Sequence, residues 1–315
     1  MSDRTREKMD LLAARFVEWL SAMNYAPKTR VNYKRDVGLF LAWLVENARI
    51  ETIADVSASD VQRYQMALYT DEREGRRLAV GTQACRLAVV RTFFDWLVAE
   101  QLIAHNPAAA LQLPKQPERL PRDVLTEEEA RRLLEATPTR TPRDARDRAM
   151  LEVLYATGLR RAELLALAIY DLDLAAATLR VEHGKGDQTR IVPLTESAMA
   201  ALWLYLDEAR PALAREASQT RLFVSSRSGG PLDSADVVRI VAKAARRAGL
   251  KKHVTPHTLR HTCATHLLRG QADIRQIQKL LGHRRLSSTE VYTRVEIGDL
   301  AEVVARCHPR AKPRQ

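Results

Sequence analysis

The sequence predicts a mainly α-helical protein with a small β-sheet, arranged as two domains, and three observations carry that expectation. Apolar residues recur at three- and four-residue spacing through most of the 315 residues, which is the helical period. Two β-type segments, Thr178 to His183 and Thr189 to Leu194, face each other across Gly184-Lys185-Gly186-Asp187. Between them and the N-terminus, Pro107, Pro114, Pro117 and Pro121 interrupt any helix. The division expected from this is a helical domain at 1–106, a proline-rich linker at 107–121 and a second domain at 122–315. Each part is long enough to bury its own core.

In the first part, Leu12, Phe16, Trp19 and Leu20 form one apolar helix face, and Val31, Val37, Phe40, Leu41 and Leu44 another after Asn24 to Pro27. Ser57, three before Asp60, opens a third helix running to Leu68, and Val80 to Leu102 makes a fourth with Leu87, Val90, Phe94 and Leu97 inward. The expectation is an all-helical bundle. Lys28, Arg30, Lys34 and Arg35 crowd the second helix, and Arg86 and Arg91 lie on the fourth. These six serve either as phosphate contacts or as solvated helix faces. The aromatic positions, Trp19, Phe40, Trp43, Phe93, Phe94 and Trp96, are assigned to the core.

The second part opens with Thr126 capping a helix whose first turn is Glu127-Glu128-Glu129, where the helix dipole favours carboxylates. A helix from about Pro142 ends at Gly158, and Arg160 begins the next. An arginine there joins the amides of a helix start in a position suited to phosphate. The hairpin follows, its glycines supplying positive φ angles. Leu202 to Ala217 reads as a helix, Leu222 to Ser226 as a short strand, and Ser234 to Ala248 as a basic helix. On that last helix Arg239, Lys243, Arg246 and Arg247 either bind phosphate or face solvent.

The densest chemistry lies between Thr255 and Val295. His257 and Arg260 are three apart at a helix start and share a face. Ile274, Ile277, Leu280 and Leu281 pattern a helix that stops at Gly282, leaving His283 just past its end. Ser287 with Glu290 marks a further helix start that carries Tyr292 in its early turns. Two histidines, an arginine and a tyrosine on three short elements can converge on an anion. Asp299 to Cys307 follows as a short apolar-patterned segment.

His257-Thr-Leu-Arg260, Leu-Gly-His283 and Tyr292 closely resemble the tyrosine recombinase, or phage integrase, family, and the arrangement looks most like its Xer-type branch. Thr157-Gly-Leu-Arg160 with an acid three residues on resembles the family's first arginine block. Gly184-Lys185-Gly186 before a strand ending in Pro193-Leu194 resembles its lysine block, and Thr29, Tyr33 and Phe40 are similar to its core-binding domain. The resemblance implies a SAM-like core-binding domain at 1–106 and an α+β tyrosine-recombinase catalytic domain with a C-terminal tail at 122–315. It implies a site-specific recombinase acting on double-stranded DNA as a homotetramer on paired sites, or as a heterotetramer with a paralogous recombinase. The reaction it implies is cutting and rejoining through a 3′-phosphotyrosyl intermediate, with integration, excision and dimer resolution all left open. In the family the tail docks on a neighbouring protomer; packing on its own domain is the alternative.

The residue chemistry agrees. Attack on a phosphodiester places further charge on its nonbridging oxygens. Arg160 and Arg260 can clamp these bidentately and His283 can donate to them. Tyr292 is the candidate nucleophile, and its phenol, with an ordinary pKa of about 10, needs a base, for which His257 is placed. Lys185 would protonate the departing 5′ oxygen, and Glu163 would orient a neighbouring cation or histidine. No cofactor is expected. A metal is not expected either: His253, His257 and His261 recur every fourth residue, but Lys251, Lys252 and Arg260 crowd them with positive charge. A type IB topoisomerase shares the chemistry, and a non-catalytic DNA-binding protein shares the fold. The helical first domain and the tail favour the recombinase over the former, and the intact tyrosine and arginines over the latter.

A formal net charge of +11 points to a polyanionic partner, with an excess of +2 on residues 1–121 and +9 on 122–315. Cys85, Cys263 and Cys307 lack paired spacing and read as reduced thiols. The charged N-terminus lacks a signal-peptide core, and no apolar run approaches the roughly 18 residues of a membrane span. A cytoplasmic protein is expected.

Overall fold

The computed structural model describes residues 3–48, 50–73, 76–115, 124–182, 189–216, 218–282 and 294–311. The chain divides into two compact units, Met1–Glu118 and Arg119–Gln315.

The first unit is a bundle of α1 (Asp3–Ala22), α2 (Pro27–Asn47), α3 (Ala58–Thr70) and α4 (Val80–Ala99), with a short hairpin of β1 (Glu72–Arg73) and β2 (Arg76–Arg77) before α4. Pro27 at the first position starts α2, where its missing N–H costs nothing. Ser57 caps α3 in a box with Asp60. The fourth helix stops at Ala99, three residues short of the predicted end. Gln101 takes the left-handed conformation at φ 57°, and the N–H of Leu102 reaches back 2.9 Å to the Leu97 carbonyl, a Schellman closure. The core is aromatic: Phe16 meets Phe93 edge-on at 5.2 Å between centroids, and Phe40 meets Tyr64 at 4.9 Å. Trp96 is buried, while Trp19 and Trp43 pack at the edge of the core.

The second unit is built round α6 (Pro142–Thr157), whose residues are buried on nearly every side. Against it pack α5 (Glu127–Glu135), α8 (Glu196–Leu204), α9 (Arg210–Leu213) and α11 (Pro256–Arg269), and α7 (Arg161–Ala166), α10 (Ser234–Arg247), α12 (Ile274–Leu281) and α13 (Arg294–Cys307) complete the same core. A three-stranded antiparallel sheet runs in the order β3 (Leu172–Asp173), β4 (Thr178–Val181), β5 (Arg190–Pro193), with Thr178 opposite Pro193 and Val181 opposite Arg190. Leu179, Val181 and Val192 turn into the core. β3 pairs only two residues and gave no sequence signal.

Two predicted elements need correction. The helix expected over Leu202 to Ala217 starts at Glu196, capped by Thr195, and widens into a π turn over Tyr205–Ala209 before α9. Pro211 has no N–H to donate within the helix, so the regular ladder cannot run through it. The strand expected over Leu222 to Ser226 is irregular chain. Leu222 bonds once to the Leu167 carbonyl and Ser225 once to Gly230, leaving only isolated bridges at Arg221 and Val224. The apolar run there is buried as a loop held by Tyr205, whose hydroxyl donates to the Leu222 carbonyl at 2.9 Å.

The segment predicted from Asp299 to Cys307 belongs to the longer helix α13. It lies on its own unit, with Leu300, Val303, Val304 and Cys307 buried. His308 beyond it is fully buried and bonds the Tyr155 carbonyl through Nε2 at 3.2 Å. No helix among the described residues is long and apolar enough to cross a membrane.

Candidate active site

Three helix boundaries meet at the site. Thr255 caps α11 by accepting from the Thr258 N–H at 3.1 Å, and Pro256 fixes its first turn. This places His257, exposed, and Arg260, buried, one turn apart at the start of the helix. α6 ends in Gly158, left-handed at φ 61°. A Cβ there would lie 2.5 Å from Leu281 Cδ2, so the position requires glycine for its backbone and for its neighbour. α12 ends in Gly282, also left-handed at φ 67°.

Arginines join these boundaries. Arg260 Nη1 donates to the Gly158 carbonyl at 2.7 Å and Nη2 to the Leu281 carbonyl at 2.8 Å. Arg160 Nη2 donates to the Gly282 carbonyl at 2.9 Å, and Arg190 Nε to the Leu280 carbonyl at 3.0 Å. Three successive carbonyls at the C-terminus of α12 therefore each receive a guanidinium N–H from a different arginine. These carbonyls have no partner within the helix, and the negative dipole end favours cations.

Glu163, on α7, ties the cluster together. Its carboxylate accepts the Arg160 backbone N–H at 2.8 Å, Arg160 Nη1 at 2.8 Å and Arg190 Nη2 at 2.9 Å. Burial opposes its ionisation, yet the bonds and charges of Arg190 and Arg160 outweigh that and hold the carboxyl down at about 2. Burial, then the neighbouring Arg160, brings Arg260 down to about 10, which still leaves it charged at neutral pH. His257 is lowered from its ordinary value by burial, then by His261, Arg260 and Arg160, so a neutral imidazole is favoured. Its Nε2 lies 3.0 Å from Nε2 of His261, one turn on.

Leu159, Arg160, Val238, Pro256, His257 and Arg260 line one open pocket. Arg260 is 6% exposed, whereas the Arg160 side chain is 44% exposed. The first is thus a fixed cation at the pocket floor, and the second stands at its mouth. Lys185, His283 and Tyr292 lie outside the described residues. So does the expected helix start at Ser287.

The candidate phosphate contacts divide. Lys28, Lys34 and Arg35 are exposed on α2, Arg35 beside Asp36, and Arg30 bonds the Ser21 hydroxyl. Arg86, with its side chain 11% exposed, turns toward buried Asp36, and Arg91 donates to the Leu111 carbonyl, so both are engaged inside the bundle. Arg239 is exposed and paired with Asp236, and Lys243 is half-buried. Among the described residues no group of three or more His, Cys, Asp or Glu is arranged to hold a metal ion. His266 is buried between Tyr155 Oη at 2.7 Å and the Leu125 carbonyl at 2.9 Å.

Arg190 had no place in the sequence-based site. The available signal was its register: it lies two residues before Val192 on a strand, which puts both on the same face, and that face is buried. A buried arginine on such a face needs a partner, and Glu163 is that partner.

Residues 123–297 match the phage integrase family and residues 13–101 its N-terminal SAM-like domain. Tyrosine recombinase XerC 2 of Ralstonia nicotianae is 40% identical over 299 residues, covering 95% of this chain and 85% of the relative. Tyrosine recombinase XerD of Chlorobaculum tepidum is 38% identical over 291 residues, covering 91% and 92%. A lambda integrase (75–356) dimer bound to a COC′ core site shares the fold, with a TM-score of 0.65 at 22% identity over 89% of this chain and 98% of that one. With its catalytic and helical regions both matched and relatives alike over nearly its whole length, the chain belongs to the phage integrase family, the site-specific tyrosine recombinases.

Proposed function

We propose that this chain cuts one DNA strand at a time by attack of the Tyr292 hydroxyl on a phosphodiester, forming a 3′-phosphotyrosyl link and releasing a 5′ hydroxyl. The link keeps the ester energy, so a 5′ hydroxyl from another strand can reverse the step without ATP. Arg160 and Arg260 hold the nonbridging oxygens, with His283 as a further donor. His257, lowered from its ordinary value by burial and then by its neighbours, accepts the phenol proton, and Lys185 protonates the leaving oxygen. Each well-placed donor on the developing charge is worth roughly 3 kcal/mol.

The observation that carries this reading is the joint position of Arg160, Arg260 and His257 on one pocket, with both guanidiniums fixed by backbone carbonyls. Held in that way, they need little reorganisation when charge develops. Lys28, Lys34 and Arg35 on α2 and Arg239 and Lys243 on α10 bind flanking phosphates; Arg86 and Arg91 order the bundle that presents α2. The partner is double-stranded DNA, and the working assembly is a tetramer on two paired sites, either of this chain alone or with a paralogous recombinase. A related lambda integrase forms a tetramer bound to a Holliday junction, which supports the multimeric reading. The protein acts in the cytoplasm.

The test is a nicked suicide substrate carrying the recognition site, incubated with chelator and without ATP. Wild type forms a denaturation-resistant protein–DNA adduct and Tyr292→Phe forms none. Exchange of partners between two duplexes then distinguishes recombination from DNA relaxation. A wild-type protein that binds the site yet gives no adduct, alone or with its paralogue, refutes the assignment.

A further inference from the structure

Arg190 lies at the start of β5, five residues after Lys185, with its side chain 2% exposed. Its guanidinium reaches two other elements at once. Nε donates to the Leu280 carbonyl in the last turn of α12, and Nη2 and Nη1 donate to the two Glu163 oxygens at 2.9 and 3.3 Å on α7. Glu163 in turn holds Arg160 by its backbone and its side chain. Leu280 is two residues before Gly282, whose carbonyl receives Arg160, and three before His283 in the sequence.

We propose that Arg190 is a positioning residue for strand cleavage, one that sets Arg160 and the end of α12 in register so that the phosphate clamp forms. The inference rests on the catalytic reading above. A guanidinium suits the task because its planar fork spans a carbonyl and a carboxylate in fixed directions, whereas a lysine offers one point charge on a flexible stem. Its guanidinium holds Glu163 and the backbone of α12, and it acts on the clamp through them. The buried charge is matched by Glu163 and by the negative end of the helix.

The experiment compares wild type with Arg190→Lys, which keeps the buried charge. Site-containing DNA is first titrated by gel shift, and adduct formation on the suicide substrate is then timed at saturating protein. Arg190→Lys is expected to bind DNA within about 3-fold of wild type and to cleave about 100-fold more slowly, the loss typical of a catalytic group misplaced by roughly 1 Å. A second substrate replaces the bridging 5′ oxygen with sulfur, a leaving group that needs no proton. The slow rate is expected to persist on it, because the defect lies in the clamp and not in protonation by Lys185. Cleavage per folded, DNA-bound molecule equal to wild type would make Arg190 merely structural and overturn the proposal. Full recovery on the sulfur substrate would overturn it too, by placing the whole effect on the leaving group. Should the lysine variant not fold, Arg190→Gln, which keeps one N–H donor, is read by the same two assays. A wild type that binds its site but forms no adduct removes the catalytic reading itself, and this inference with it.

Discussion

Glu163→Gln tests whether the cluster is held by charge or only by shape. The glutamine keeps the volume and one acceptor oxygen but loses the negative charge between Arg160 and Arg190. In the folded protein the Glu163 carboxyl is held at about 2, against 4.5 for an unperturbed one, a lowering worth about 3 kcal/mol at neutral pH. Because the folded pKa is the lower one, this stabilisation is complete above the unfolded value and drains away as pH falls toward the folded value. Urea unfolding of the two proteins, followed by circular dichroism, should give a gap of about 3 kcal/mol at pH 7. The gap should hold to about pH 5.5, and about 2 kcal/mol of it should be gone by pH 3. All other carboxylates are shared, so the difference isolates this one. A gap that is the same at pH 7 and pH 3 would mean that Glu163 contributes packing alone, and the electrostatic account of the clamp would fail.

Gly158→Ala forces a Cβ onto a left-handed backbone and against Leu281, and should cost about 2 kcal/mol in urea unfolding; a loss below about 0.5 kcal/mol would contradict the close approach. Thiol labelling of the native protein should modify one cysteine, exposed Cys85, because Cys263 and Cys307 are buried and burial pushes the Cys263 thiol up to about 12; all three should react in denaturant. Labelling of Cys263 at the rate of Cys85 would contradict the packing of α11 on α6. Since His257 is lowered from its ordinary value, it is neutral at pH 7, and adduct formation should fall only as pH drops below the usual histidine range. A rate already halved at pH 7 would rule His257 out as the base.

The helical elements were readable because their periodicity and caps are local. Ser57 with Asp60, Thr126 with Glu129, and Gly158 and Gly282 at helix ends are signals contained within a few residues. Leu222 to Ser226 misled because an apolar run encodes burial and not pairing. Its backbone partners, Leu167 and Gly230, are set by the tertiary fold. Pro211 was visible as a break in the ladder, but a proline alone does not say that the turn before it widens into a π turn. Arg160, Glu163, His257 and Arg260 could be chosen from spacing and family resemblance together. What spacing could not supply was the carbonyl acceptors, since a backbone oxygen carries no residue identity.

Those acceptors explain how a cluster of like charges can be built in advance. Arg160, Arg190 and Arg260 repel one another, and burial has already brought Arg260 down to about 10. Ordinary carboxylate pairing would cancel the field that an anionic substrate needs. Among the described residues, Glu163 serves two of the three arginines, and Arg260 donates to neutral oxygens, those of Gly158 and Leu281. Carbonyls at helix ends orient a guanidinium and partly offset its charge without neutralising it. Arg260 thus keeps its full charge at a pocket floor with its direction fixed, and Arg160, shared between Glu163 and Gly282, stays half open at the mouth. In the reaction proposed above, a phosphodiester entering the pocket would supply the missing countercharge to the cluster.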